Sequence, residues 1–391
     1  MLDVLKKIYG IILFYLFRIF PLQNKIVFSC FHGMSCDGNP RYISNFLLKE
    51  RKDIKQVWIN RKNNNFDLNS SIKVVEWGSI RMIYEMATAK IWIDSHNKPT
   101  WIRKRKNQFY IETWHGGLGM KKIEADTEKN YPLKVVKSIK HNSSMADLFV
   151  SNSTHLTNIY KRAFWYEGPI LESGFPKNDI FYASKEKLDE IRTKVLNKLN
   201  IPLDKKVVLY APTFRDEQKL DVYDIDFKKL KKNLDNKFNE DFVVLFRLHP
   251  IMRSLSKDFG KLYKEIIDAS YYDDMQELII ATDIFITDYS SGIFDFASLR
   301  RPGFLYAKDI EDYEKERGLY FDLHDMPFPL AQNNEELEKN IMEFDYDKYK
   351  EDLEEFFVKM GLKDNENSVK KISVVIEKYI DTGKIELEKE K

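Results

Sequence analysis

From about residue 25 onward, short apolar runs alternate with stretches of helical periodicity, and this alternation constrains the fold more than any other feature of the chain. An apolar run without polar interruption is a strand covered on both faces, which is what helices on either side of a parallel sheet provide. The pattern predicts strands at Ile26–Ser29, Gln56–Ile59, Ile72–Trp77, Ile91–Asp94, Phe109–Thr113 and Leu148–Ser151, with helices at Arg41–Glu50 and Ile80–Ala89. Tyr182–Asn200, rich in Lys, Glu and Leu, predicts a helix leading into a second half of the same kind. There the strands are expected at Val207–Ala211, Val243–Arg247, Ile284–Thr287 and Phe304–Tyr306, and the helices around Phe227–Leu234, Met275–Ala281 and Gly292–Leu299. Two doubly wound α/β domains follow, in keeping with 391 residues at roughly 100–200 per domain. The expected boundaries are 1–22 for a terminal helix, 23–183 for the first domain and 184–391 for the second with its C-terminal helices. Of these, Ser368–Tyr379 is expected to pack back across the junction.

Lys and Arg number 63 against 61 Asp and Glu, so no overall field gathers nucleic acid, and no nucleic-acid partner is expected. Two cysteines, Cys30 and Cys36, are too few for a disulfide framework. With His32 they also lack the fourth ligand of a structural zinc site, so no metal ligand and no resident cofactor is assigned, and the need for a divalent ion is left open. At the amino terminus Ile8–Phe17 is apolar throughout and framed by Lys6, Lys7 and Arg18. A membrane-spanning helix needs about 20 apolar residues, and no small-residue cleavage site follows. The segment predicts a helix lying in a membrane interface, the alternative being a helix packed on the protein body. The basic stretches Trp101–Lys106 and Leu133–His141 suit an anionic bilayer, and the second suits a solvated helix face equally well.

In open α/β sheets ligands sit beyond the carboxyl ends of the strands. One strand runs into Trp114-His115-Gly116-Gly117-Leu118-Gly119, where the glycines let backbone approach a ligand and His115 is placed to take a proton from a hydroxyl near neutral pH. The plainer reading is a histidine that caps the strand. Another strand delivers Arg247 and His249 on one side, with room for a phosphate between them, or else a surface arginine and a buried histidine. A third turns through Asp288, Ser290 and Ser291 into a helix carrying Asp295, an arrangement that offers a helix N-terminus to an anion. Thr213 and Arg215 follow a fourth strand, and Lys177 precedes the joining helix. Together these ends describe a diphosphate site better than a hydride-transfer site. Neither the dinucleotide fingerprint nor a P-loop occurs, and the zinc-protease and serine-hydrolase strings are missing too.

In this order WHGGLGMKK, GFPKND, YAPTFRD, RLHP and TDYSSGIFDFASLRRP resemble the motifs of the CDP-glycerol glycerophosphotransferase family of teichoic-acid-type polymer synthesis. FHGMSCDGNPRYI resembles that family's first strand-loop-helix, and the likeness runs from about residue 25 to 360. It implies a GT-B-like fold, two Rossmann-like domains facing across a cleft, on a peripheral (monotopic) enzyme at the cytoplasmic face of the membrane. The implied reaction moves a glycerol phosphate, or a related polyol phosphate, from CDP-glycerol or CDP-ribitol to a hydroxyl of a lipid-linked or polymer acceptor, releasing CMP.

By the same resemblance His115 is the general base, and His249 with Arg247 stabilises charge on the phosphates. Ser290 and Ser291 hold the pyrophosphate, aided by Thr213 and Arg215. Asp288, Asp295, Gly116 and Lys177 belong to the substrate-binding set. Two positions depart from the family pattern: Gly117-Leu118-Gly119-Met120 replaces the usual Thr-Pro-Leu, and Lys177 stands where arginine is usual. A single-transfer or capsule-type enzyme fits as well as a long-chain polymerase. A nucleotide-sugar glycosyltransferase and a non-catalytic membrane-bound nucleotide-binding scaffold are the competing readings.

Overall fold

The computed structural model describes residues 2–61, 68–213, 215, 224–248 and 266–387. Two compact units are present, one of residues 1–115, 123–179 and 362–391, the other of residues 116–122 and 180–361.

The first unit is built on seven strands: β1 (Gln23–Ser29), β2 (Lys55–Asn60), β3 (Lys73–Glu76), β4 (Ala89–Asp94), β5 (Phe109–Glu112), β6 (Leu148–Ser151) and β7 (Ile170–Glu172). They lie in the order β3-β2-β1-β4-β5-β6-β7, every pair parallel. Chain order thus reverses between β1 and β4, where Phe28 registers with Ile93 and Ser29 with Asp94. The inner strands are buried on both faces, and Phe28, Trp58, Trp92, Tyr110 and Phe149 vanish from solvent. Ring stacking of Phe28 on Trp58, 5.3 Å between centroids, fills the space beside helix Gly38–Glu50.

Helix α1 (Leu2–Leu16) packs on the helix Ile80–Thr88 through Leu13 and Phe14. A Cβ at Gly10 would come within 2.7 Å of the Trp101 ring, so this glycine allows the close approach. Arg105 donates to the carbonyls of Phe17 (2.7 Å) and Phe20 (2.9 Å), tying down the end of this segment. The outward side of this segment exposes Leu5, Ile8, Tyr9, Ile12, Tyr15, Leu16, Ile19 and Phe20. One face of this helix is thus packed on the protein body, as the alternative reading expects, and the other is bare. Among the described residues no helix is long and apolar enough to cross a membrane.

The second unit carries β8 (Lys206–Tyr210), β9 (Phe242–Phe246), β10 (Ile266–Asp268), β11 (Ile284–Thr287), β12 (Gly303–Tyr306) and β13 (Leu330–Ala331). Their order is β10-β9-β8-β11-β12-β13, again all parallel, with the reversal between β8 and β11. Both sheets follow the order of the Rossmann-type doubly wound fold. The expected strands are present. β7, β10 and β13 are further edge strands of three, three and two residues, too short to carry a periodic signal.

The last helix, Ser368–Thr382, belongs to the first unit, whereas residues 184–391 are expected together from sequence. Its start is held by the Asp179 carboxylate, which accepts from the N–H groups of Ser368 (3.2 Å) and Val369 (2.8 Å). Near its end Lys90 donates to the Ile380 carbonyl (2.7 Å) and the Tyr379 hydroxyl to the Asn107 carbonyl (3.0 Å).

Candidate active site

A doubly wound sheet binds ligands beyond the carboxyl ends of its strands, at the point where strand order reverses. In the first unit that point collects three imidazoles. β1 runs into Phe31 and His32, β4 into Ser95 and His96, and β5 into Trp114 and His115. The rings of His32 and His96 meet edge to face at 4.7 Å between centroids, and those of His96 and His115 lie 6.1 Å apart. Phe31 covers His115 at 4.8 Å. Nδ1 of His115 lies 3.0 Å from the Ser95 carbonyl, an acceptor only, so the proton belongs on Nδ1 and the basic lone pair of the neutral ring on Nε2.

The backbone here is strained. Phe31 (φ 44°), His32 (φ 55°) and Trp114 (φ 50°) all adopt left-handed conformations that bulky residues avoid. Trp114 is held by its N–H, which donates to Glu112 Oε1 at 3.1 Å. The other oxygen of this buried carboxylate accepts from the Tyr110 hydroxyl (2.6 Å) and from Asn142 Nδ2 (3.2 Å). Burial, reinforced by the neighbouring Asp94 charge, pushes the Glu112 carboxyl up. Asp94 in turn pairs with Lys98 and accepts from the N–H groups of Ser95 (2.8 Å) and His96 (3.2 Å). Burial lowers His96 and brings His32 down to about 3, so both rings are neutral bases at neutral pH.

Lys177 belongs to this end through its backbone. Its N–H donates to Asn39 Oδ1 (3.2 Å), while Asn39 Nδ2 donates to the Thr113 carbonyl (3.2 Å), beside Trp114. The rest of the GFPKND motif is structural: the Asp364 carboxylate accepts from the Phe175 N–H (2.7 Å) and from Asn178 Nδ2 (2.8 Å).

The second unit places Thr213, Asp288 and Ser290 at its own reversal point, between β8 and β11, and Asp288 organises them. One of its oxygens accepts from the N–H groups of Thr213 (2.8 Å) and Tyr289 (2.6 Å), and the other from Arg215 Nη2 (3.0 Å). Arg215 also forks onto Asp309, at 2.7 Å through Nε and 2.9 Å through Nη2, and its Nη1 donates to the Thr213 carbonyl (2.8 Å). The guanidinium lies 4.9 Å from the Tyr289 ring and 4.8 Å from that of Tyr313, and those rings stack on each other at 3.8 Å. A cation so engaged is part of the scaffold, setting the loops that carry Thr213 and Ser290.

Ser290 Oγ accepts from the Gly292 N–H (3.2 Å), whereas Ser291 makes no side-chain cap. Their helix, Gly292–Ala297, has six residues and stops short of the expected Leu299. Asp295 is buried and accepts from Gln276 Nε2 at 3.4 Å. Gly116 belongs to a segment, 116–122, that is part of this unit. Met120 accepts from the Tyr320 N–H (2.9 Å), and Lys121 bridges to Leu319. Burial, opposed by the Asp288 charge, brings the Lys121 ammonium down to about 8. Arg247 is buried and donates to the carbonyls of Tyr272 (2.5 Å) and Ala269 (3.4 Å). Its expected companion His249 lies outside the described residues.

Three residues of these ends escape the sequence reading. His96 stands two positions past the end of β4, and the rule that singles out His115 would have found it. Glu112 lies inside a strand and reads as an ordinary polar interruption. Asp309 is separated from Arg215 by 94 positions, and only the fold joins them.

The model of the family described as CDP-glycerol:poly(glycerophosphate) glycerophosphotransferase matches residues 12–378. A teichoic acid poly(glycerol phosphate) polymerase of Bacillus spizizenii is 32% identical over 95% of this chain and 96% of its own length. The polymerase of that description from Bacillus subtilis is 34% identical over 84% of this chain, which spans 45% of that longer protein. Among solved structures, the wall teichoic acid polymerase TagF superposes with a TM-score of 0.82 at 30% identity, covering 97% of each chain. One TagF variant was solved after soaking with CDPG. Two Rossmann-ordered sheets, with imidazoles at one reversal point and hydroxyls at the other, together with these likenesses mark the chain as a phosphotransferase. The chain belongs to the CDP-glycerol:poly(glycerophosphate) glycerophosphotransferase family.

Proposed function

We propose that this chain transfers glycerol phosphate from CDP-glycerol to a hydroxyl of a membrane-linked acceptor in teichoic-acid-type polymer synthesis, releasing CMP, on a GT-B-like fold. One observation carries the assignment of the base: His115 gives its Nδ1 proton to the Ser95 carbonyl, which leaves Nε2 as the basic atom. The acceptor hydroxyl loses its proton to Nε2 as its oxygen attacks the glycerol-bearing phosphorus. The bond from that phosphorus to the bridging oxygen breaks, and CMP departs. Such a transfer asks chiefly for alignment and stabilised charge. The hydroxyls of Thr213, Ser290 and Ser291 suit the donor phosphates, with Arg215 and Asp288 holding that frame rigid. His249 and Arg247 are assigned to the leaving phosphate on the family resemblance alone.

The chain works at an anionic membrane surface, with the bare face of α1 in the interface and the basic stretch 103–106 beside it. Incubation with CDP-glycerol and a lipid-linked acceptor is expected to release CMP, and nucleotide sugars are expected to serve poorly, with CDP-ribitol compared as the other polyol donor. CMP at background level refutes the donor assignment, and sugar transfer without phosphate transfer replaces it with a glycosyltransferase. Removal of residues 2–20 is expected to abolish partition onto anionic vesicles; undiminished partition means that α1 is not the anchor.

A further inference from the structure

At the end of the first sheet opposite His115, the amino ends of β1, β2 and β3 line a cavity of about 620 Å³. Its described walls carry six cations, Lys25, Arg51, Lys52, Lys55, Lys73 and Arg81, against the single carboxylate of Glu85. Arg51 is balanced by Asp53 (2.8 Å) and Asp381 (3.1 Å). Glu85 is shared three ways, by Lys25 Nζ at 2.6 Å, Lys73 Nζ at 2.7 Å and Arg81 Nε at 2.8 Å. Three cations on one carboxylate leave a local surplus of positive charge, and Lys25 is only 2% exposed, so bulk water screens it weakly. A phosphate group, with its negative charge and acceptor oxygens, offsets part of that surplus.

One wall ties the cavity to the bare helix. The Tyr84 ring meets Phe17 and Phe20 edge to face, each at 5.5 Å, and has Lys25 Nζ at 5.3 Å and the Arg81 guanidinium at 5.1 Å. Ile19 and Phe20 are exposed, and β1 starts at Gln23, itself part of the cavity wall. An apolar tip and a cation-lined cavity thus share one aromatic side chain. That pairing matches a molecule with acyl chains joined to a phosphodiester.

We infer that this cavity is a binding site for the headgroup phosphodiester of an anionic phospholipid, separate from the reaction site and beside the helix that enters the interface. The inference rests on the membrane reading above. Calorimetric titration of the full chain with dihexanoyl phosphatidylglycerol, kept below its micelle concentration, is expected to show saturable binding. The matching phosphatidylcholine and inorganic phosphate are expected to bind more weakly. Lys73→Gln combined with Arg81→Gln is expected to weaken phosphatidylglycerol binding about tenfold or more. Lys315→Gln with Lys348→Gln, which removes two exposed charges from the second unit, is expected to change nothing. If the first pair fails to fold, Lys52→Gln with Lys55→Gln on the exposed rim takes its place.

Unchanged binding in the cavity variants, or equal loss in the second-unit control, overturns the site. Inorganic phosphate binding as tightly as the lipid makes it a free-phosphate site and overturns the lipid. Vesicle co-sedimentation separates the two readings. A chain that ignores phosphatidylglycerol vesicles yet binds the short-chain lipid refutes membrane attachment and leaves the cavity standing. Vesicle binding without any short-chain lipid binding refutes the cavity alone.

Discussion

The two sheets share one strand order, and the chemistry at their reversal points is nearly opposite. In the first unit the layer at the strand ends is aromatic and imidazole and itself partly buried, with charges such as Asp94, Lys98 and Glu112 fully buried one layer beneath. In the second the charges themselves form the cage, Arg215 between Asp288 and Asp309, with the Thr213 and Tyr289 N–H groups tied into it, and the loops above carry the hydroxyls of Thr213, Ser290 and Ser291. Topology therefore fixes where a ligand goes and leaves open what meets it. Desolvation keeps the His32 and His96 rings beside His115 neutral at neutral pH. A frame for phosphates must stay rigid, which a carboxylate-locked arginine achieves without offering its own charge.

Removing each element tests this contrast. His115→Ala is expected to lower CMP release by about 10²–10⁴-fold while leaving the thermal unfolding midpoint close to that of the unaltered protein. A large drop in the midpoint would make His115 a packing residue. Arg215→Ala should behave the other way round, costing about 3–5 kcal/mol of stability because Asp288 and Asp309 lose their common partner in a largely buried setting. Chemical denaturation reads this directly, and a stable variant with lost donor binding would return Arg215 to the role of a direct ligand.

Glu112→Gln probes the layer beneath the imidazoles. The folded chain raises this carboxyl from 4.5 to about 7, so between those values it keeps a proton that the unfolded chain has released. Wild-type stability from this group therefore falls as pH rises through that window. The midpoint of Glu112→Gln minus that of the wild type should grow more positive from about pH 5 to about pH 8. A gap that does not change with pH would show Glu112 ionising normally. His32 works in the opposite sense. Its pKa is lowered from 6.5 to about 3, so its contribution to stability is lost as pH falls through that range. The smallest effect separates the two serines: Ser290→Ala should cost up to about 1 kcal/mol, through the hydrogen bond to Gly292, and Ser291→Ala less than about 0.5 kcal/mol.

The long inner strands were legible in sequence because burial on both faces leaves an unbroken apolar run. Helices such as Ile80–Thr88 were legible because their periodicity is strong and Ser79 caps them. His115 was legible because it ends a strand and opens a glycine-rich turn. Arg215 is legible as a residue, and its tie to Asp309 is not, since Asp309 meets it only when β12 comes to lie beside β11. The two serines looked equivalent in sequence, and backbone geometry alone separates them. The return of Ser368–Tyr379 across the junction is expected from sequence, and its partners Asp179 and Asn107, a remote carboxylate and carbonyl, are announced by no local pattern.

That returning helix sets an order of assembly. Residues 180–361, which make up nearly all of the second unit, leave the ribosome before Ser368–Thr382 does. The inner unit can close around its sheet while the outer one still waits for its last piece, with the Asp179 carboxylate and the Asn107 carbonyl unanswered. A released chain ending just short of residue 362 would hold every residue of the second unit and lack the closing helix of the first. The imidazole cluster thus lies in the half of the molecule that biosynthesis finishes last.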